Sequence, residues 1–197
     1  MRASGERVGH DSREMRTCGE CTLCCTLLRV DELRKRGGTP CRELREAPAP
    51  PGCGIHAVRP AICRAYACLW LSGGLAEEDR PDRLGAVLDV ATEAGTTRLR
   101  VHEAAPGVYE RSARLREIVA RYRESMPVRI SDVSRAGDAG APVRELGPLG
   151  TELRIEGEWL VRIAGAREVE RRRLPWLERG LRRLALAWRA RRLRGYY

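Results

Sequence analysis

The sequence predicts an α+β protein: a small irregular cysteine-rich metal-binding module followed by β-hairpins and two amphipathic helices. Three observations carry this reading. All eight cysteines lie between Cys18 and Cys68. Further along, alternating apolar residues flank Gly-containing turns. Two segments repeat apolar residues at three- and four-residue steps, the mark of a helix with one apolar face. At 197 residues, of which 43% are hydrophobic, the chain suits one domain or a domain with an appendage.

The elements follow in order. Residues 1–16 are polar and rich in Gly, Ser and Arg, and read as a flexible tail. Residues 17–72 are the cysteine-cluster metal-binding module. Within them the run from Glu46 to Gly52 carries three prolines, which remove donors and fix φ, so it reads as a loop between two cysteine-bearing arms. Residues 73–135 form the α+β part of the same domain. A hairpin is expected over 84–103, with Val87, Leu88 and Val90 in one arm and Leu99 and Val101 in the other, turning at Glu93 to Gly95. A helix is expected over 109–126, with Leu115, Ile118, Val119, Tyr122 and Met126 on one face and Pro127 ending it. Residues 136–150 read as a loop. Residues 151–197 hold a second hairpin, Leu153 to Ile163 with its turn near Gly157, and a basic C-terminal helix over 175–194. There Leu177, Leu181, Leu184, Ala185 and Trp188 share one face. The apolar stripe is expected to pack on the domain and the arginines to face outward.

Lys35 is the only lysine among 37 basic residues, and the chain has no Phe, Asn or Gln. Such usage reflects compositional bias, so the net charge of +10 is weak support for nucleic-acid binding, though it favours anionic partners at low salt. The first residues lack the apolar stretch of a signal peptide, and no window approaches about 18 apolar residues. A cytoplasmic location is therefore expected. Thiols stay reduced there, and dense cysteine points to metal or catalysis rather than to disulfides.

Cys18, Cys21, Cys24 and Cys25 form a C-x-x-C-x-x-C-C run. Two intervening residues let a tight turn aim both sulfurs at one ion, which suits zinc and iron–sulfur clusters alike. The first three match bacterial ferredoxin spacing, but the fourth ferredoxin position is Leu28, so any fourth ligand comes from further along. Cys41 and Cys53 flank the proline loop, and Cys63 and Cys68 follow. Buried thiols packing as small hydrophobes, or redox thiols without metal, are the alternatives.

This arrangement resembles the YkgJ-type cysteine-cluster family, the C-x-x-C-x-x-C-C zinc- or iron-chelating domain. Cys18, Cys21, Cys24 and Cys25 match its opening motif and Cys41 its lone cysteine. Cys53, Ile55, Arg59, Pro60, Cys63, Arg64, Tyr66 and Cys68 match its closing segment, while His56 departs from the usual Tyr. The resemblance covers 17–72. It implies an iron–sulfur cluster, 4Fe–4S, or zinc, held by the cysteines. Some relatives are called iron–sulfur proteins, and one related group methylates flagellin lysines.

Four thiolates around such a centre leave a charge of about −2, which Arg59 and Arg64 beside Cys63 can offset as second-layer partners. Tyr66 and Trp70 either shield the site or belong to the core. His56 is a possible nitrogen ligand, and His10 and His102 stand alone. Three functions follow. The first is an iron–sulfur protein with a redox or electron-transfer role. The second is a zinc-stabilised binding module whose basic C-terminal helix contacts an acidic partner, nucleic acid or anionic lipid. The third is an enzyme with methyltransferase-related activity.

Overall fold

The computed structural model describes residues 16–45, 47–93, 95–132 and 143–197. The expected tail (save Arg16), His10, Glu46 of the proline loop, Ala94 of the first turn and residues 136–142 of the expected loop over 136–150 lie outside the described residues.

The chain is mixed α+β. Seven strands form one sheet in the order β1-β2-β3-β4-β5-β6-β7. β1 (Ala86–Glu93) and β2 (Thr96–Glu103) pair antiparallel as the first hairpin, with Leu88 opposite Val101 and Val90 opposite Leu99. The chain then crosses through α4 (Val108–Arg111) and α5 (Ala113–Arg123) to β3 (Val128–Asp132), which runs parallel to β2. A parallel neighbour needs such a crossover, because a tight turn can only reverse the chain. β4 (Val143–Leu146), β5 (Thr151–Glu156), β6 (Trp159–Ala164) and β7 (Arg167–Arg173) continue antiparallel. The two expected hairpins are therefore parts of one continuous sheet.

Three sequence expectations change. The helix expected over 109–126 is broken at Ser112, whose hydroxyl accepts from the Leu115 backbone N–H and caps α5. Its apolar face is as expected: Leu115, Ile118 and Val119 are buried, with Tyr122 and Met126 packed beside them. The segment 136–150, expected as loop, contains β4. β7 was not expected. It reads Arg-Glu-Val-Glu-Arg-Arg-Arg and is exposed along most of its length, so it has no alternation to detect. A charged edge strand is how a sheet avoids pairing with another chain.

The core explains where the cysteines sit. The first four residues of β1, Ala86 to Asp89, are all buried, so both faces of that end are covered. One cover comes from the cysteine-bearing segment: Leu27, Cys68, Trp70 and Leu75 belong to the same apolar cluster as Val87, Leu99, Leu115 and Val128. The Leu69 backbone N–H donates to the Leu88 carbonyl at 2.7 Å, tying the Cys68 segment to β1. Asp79, 1% exposed, accepts two bonds from Arg114 of α5 at 2.8 Å each. The first third of the chain is thus anchored to the sheet and its crossover.

α6 (Trp176–Arg192) is where expected, but its orientation is the reverse of the expected one. Trp176, Leu177, Leu181, Leu184 and Trp188 are 57% to 76% exposed, and none of the helix residues is buried. Arg179 and Arg183 instead hold the helix to Glu158 at the β5–β6 turn, at 2.8 and 2.6 Å. Leu193 beyond its end is buried, and Tyr197 returns to the cysteine segment through backbone bonds with Arg34 and Arg36.

Candidate metal centre

The cysteine segment has little regular structure. Gly19, at φ +52°, lets the chain turn so that the Cys21 N–H reaches the Cys18 carbonyl at 2.9 Å. A residue with a Cβ is disfavoured in that left-handed region. The turn leads into α1 (Leu23–Leu27), which carries Cys24 and Cys25 at adjacent positions. Neighbours on a helix point about 100° apart, yet the Cys24 thiol stays close enough to donate to Cys25.

Only one of the two, Cys24, lines a cavity. Cys18, Cys21, Cys24 and Cys68 line one cavity of about 20 Å³, walled by Trp70, Leu71 and Pro81. Pro81 opens α3 (Pro81–Leu84). Cys25 lies between this cavity and the remaining cysteines: its charge acts on Cys18 and Cys24 as well as on Cys63. The Cys41 N–H donates to the Cys25 carbonyl at 3.1 Å, and a backbone bridge joins Cys53 to Leu44, three residues after Cys41. Cys63, in α2 (Ala61–Ala65), feels the charges of Cys25, Cys41 and Cys53. Cys68 lines the cavity beside Cys18 and Cys21, and Cys63 does not. The proline loop is the tip of an excursion closed by Arg45–Gly52 and Glu43–Gly54 backbone bonds, which brings Cys41 and Cys53 together.

 None of the eight cysteines is paired in a disulfide. Burial raises the Cys18, Cys21, Cys63 and Cys68 thiols above their ordinary range. Backbone N–H groups work the other way. Those of Leu23 and Asp82 favour the Cys21 thiolate, and those of Trp70 and Leu71 favour the Cys68 thiolate. Amides aimed at sulfur are a standard means of tuning a thiolate-held metal. The Cys24 thiol donates to Cys25, which raises Cys24 strongly and lowers Cys25 to about 7, with the charges of Lys35 and Arg59 assisting.

Lys35 was not singled out by its sequence context, although its being the only lysine was a signal. It is completely buried, and its Nζ donates to the carbonyls of Thr26, Leu28 and Arg36 at 3.1, 2.6 and 3.0 Å. These bonds close the C-terminal end of α1, whose carbonyls have no partner within the helix. Burial lowers the Lys35 pKa, and the charges of Cys41, Cys25, Cys24 and Cys63 oppose that. It is a fixed cation among the thiols.

Arg59 also acts by charge on Cys18 and Cys25, and its Nη1 lies 2.8 Å from His56 Nε2. Arg64 donates to the Arg59 carbonyl at 2.6 Å, so it orders the segment before α2. Tyr66 donates to Asp89 at 3.0 Å; Trp70 is buried and donates to the Glu77 carbonyl at 3.1 Å. Trp70 thus shields the cavity and belongs to the core at once. His102 lies on β2 beside Asp89, away from the cavity's lining residues.

The cavity is about the size that holds one water molecule. Among the described residues, no three His, Cys, Asp or Glu side chains are gathered closely enough to form a ready-made metal cage. The donor types nevertheless suit a soft metal, with thiolates, amides directed at them, an apolar wall and a buried counter-cation; the present volume matches a single zinc ion, and a four-iron cluster needs it to widen. Comparison of the chain with protein-family models, with curated proteins and with solved structures returns no match.

Proposed function

We propose that this chain is a thiolate metal-binding protein that holds an iron–sulfur cluster, 4Fe–4S, or zinc. Cys18, Cys21, Cys24 and Cys68 are one ligand set; Cys25, Cys41, Cys53 and Cys63 are the second. The observation that carries the reading is the cavity lined by the first set, whose members come from the opening turn, α1 and the segment tied to β1. The resemblance of 17–72 to the YkgJ-type family supports the same donor atoms. A metal closed by four thiolates has no position left for substrate, which suits electron transfer or structural support. A reducing, cytoplasmic setting is part of the proposal, because metal binding requires these thiols unpaired.

A second reading is a zinc-stabilised binding module with α6 as its contact surface. Its support is the exposed arginines near the end of that helix, Arg189, Arg191 and Arg192.

Anaerobic purification with metal analysis, sulfide analysis and an absorption spectrum tests both. Brown protein with iron and acid-labile sulfide is the expected result. Colourless protein with stoichiometric zinc promotes the second reading. Protein without bound iron or zinc overturns the proposal.

A further inference from the structure

α6 has an apolar stripe that the fold leaves uncovered. Leu177, Leu181, Leu184 and Trp188 recur at four, three and four residues, so they share one face, and all are more than half exposed. The opposite side faces the protein: Arg179 and Arg183 reach Glu158, and Leu193 is buried. Between Trp176 and Arg194 there are seven arginines and one acidic residue, Glu178. By helical position Arg191 and Arg192 border the apolar stripe on either side.

We infer that α6 is an interfacial helix that lays this stripe into the surface of an anionic phospholipid bilayer. Leucine and tryptophan on one face, with arginine along its margins, is the composition of helices that lie in the plane of a membrane. The helix is not long and apolar enough to cross one. Lipid is the occupant the charges favour. A second copy of the chain would bring two strongly basic helices together. A nucleic-acid backbone would pair the arginines and leave two tryptophans and three leucines in water. Residues 1–15 offer only Met1, Ala3, Val8 and Met15 as apolar side chains, too few to cover the stripe. The inference does not depend on the metal.

The test uses the full chain, as purified, with vesicles of phosphatidylcholine alone and with about 30 mol % phosphatidylglycerol. Co-sedimentation should occur with the anionic vesicles, weaken with added salt, and be accompanied by a blue shift of tryptophan emission. L181S/L184S should reduce binding by about a hundredfold or more, which is what removing two buried leucines implies; R191Q/R192Q should reduce it on anionic vesicles. Both pairs are exposed, so near-ultraviolet circular dichroism should match the parent protein. No vesicle binding overturns the inference, as does equal binding to neutral vesicles or no effect of L181S/L184S. Binding to a duplex oligonucleotide without vesicle binding assigns the helix to nucleic acid instead. Self-association abolished by L181S/L184S, without vesicle binding, assigns it to a second copy.

Discussion

Replacing Lys35 by methionine tests the organisation of the cysteine segment most directly. The substitution keeps the length of the side chain and removes its charge and its donors. Three carbonyls, of Thr26, Leu28 and Arg36, then lose a partner in a site where Lys35 itself is 0% exposed. Leaving a buried acceptor unsatisfied costs about 1–3 kcal/mol. Against this, the ammonium no longer has to be desolvated, which recovers several kcal/mol in favourable cases. The balance expected is a loss of about 3 kcal/mol, because three acceptors are orphaned for one cation removed. With a urea slope of about 2 kcal/mol/M, the midpoint falls by about 1.5 M at unchanged slope. A second readout separates the electrostatic role from the structural one. Lys35 helps hold the Cys25 thiol near 7, so in chelator-treated protein the pH midpoint of Cys25 alkylation should rise in the variant. A stability loss below about 1 kcal/mol with an unmoved alkylation profile would refute the role assigned to Lys35.

Three further outcomes are expected. Serine at Cys18, Cys21, Cys24 or Cys68 should remove metal from one set and spare the other, whereas serine at Cys25, Cys41, Cys53 or Cys63 should do the converse; metal analysis of all eight variants checks the partition. Metal removal should make residues 17–72 the first protease-sensitive region while the β1–β2 hairpin and α5 persist, since structural zinc contributes about 10 kcal/mol or more of apparent folding energy; identical limited-proteolysis patterns with and without metal would count against it. The Arg114 guanidinium holds the Asp79 carboxyl below its usual value, so the ion pair stabilises the fold above the unfolded-state pKa of about 3.9 and is lost as pH falls through the lower folded value. D79N should therefore be less stable than the parent at neutral pH, by urea titration, and the gap should close in acid.

The sequence by itself determined the cysteine spacing, the first hairpin, the apolar face of α5 and the position of α6. These are local: cysteine spacing, a Gly-containing turn, and three- and four-residue periodicity are written over a few neighbouring positions. Tertiary structure decided the rest. β4 and β7 are strands because neighbours supply their backbone partners; the four residues of β4 are too few to show alternation, and β7 is an edge exposed on both faces. Adjacent helix positions turn Cys24 and Cys25 about 100° apart, but which distant thiol lies near each does not follow from that. Cys68 lies near Cys18 because Leu69 bonds to β1, and Cys63 stands with Cys41 and Cys53 because the proline loop folds back. α6 shows the limit most plainly. Periodicity gave its apolar face, yet amphipathicity does not say which side meets the body of the protein. Glu158 decided that by drawing Arg179 and Arg183 inward, and the leucines and tryptophans were left facing out.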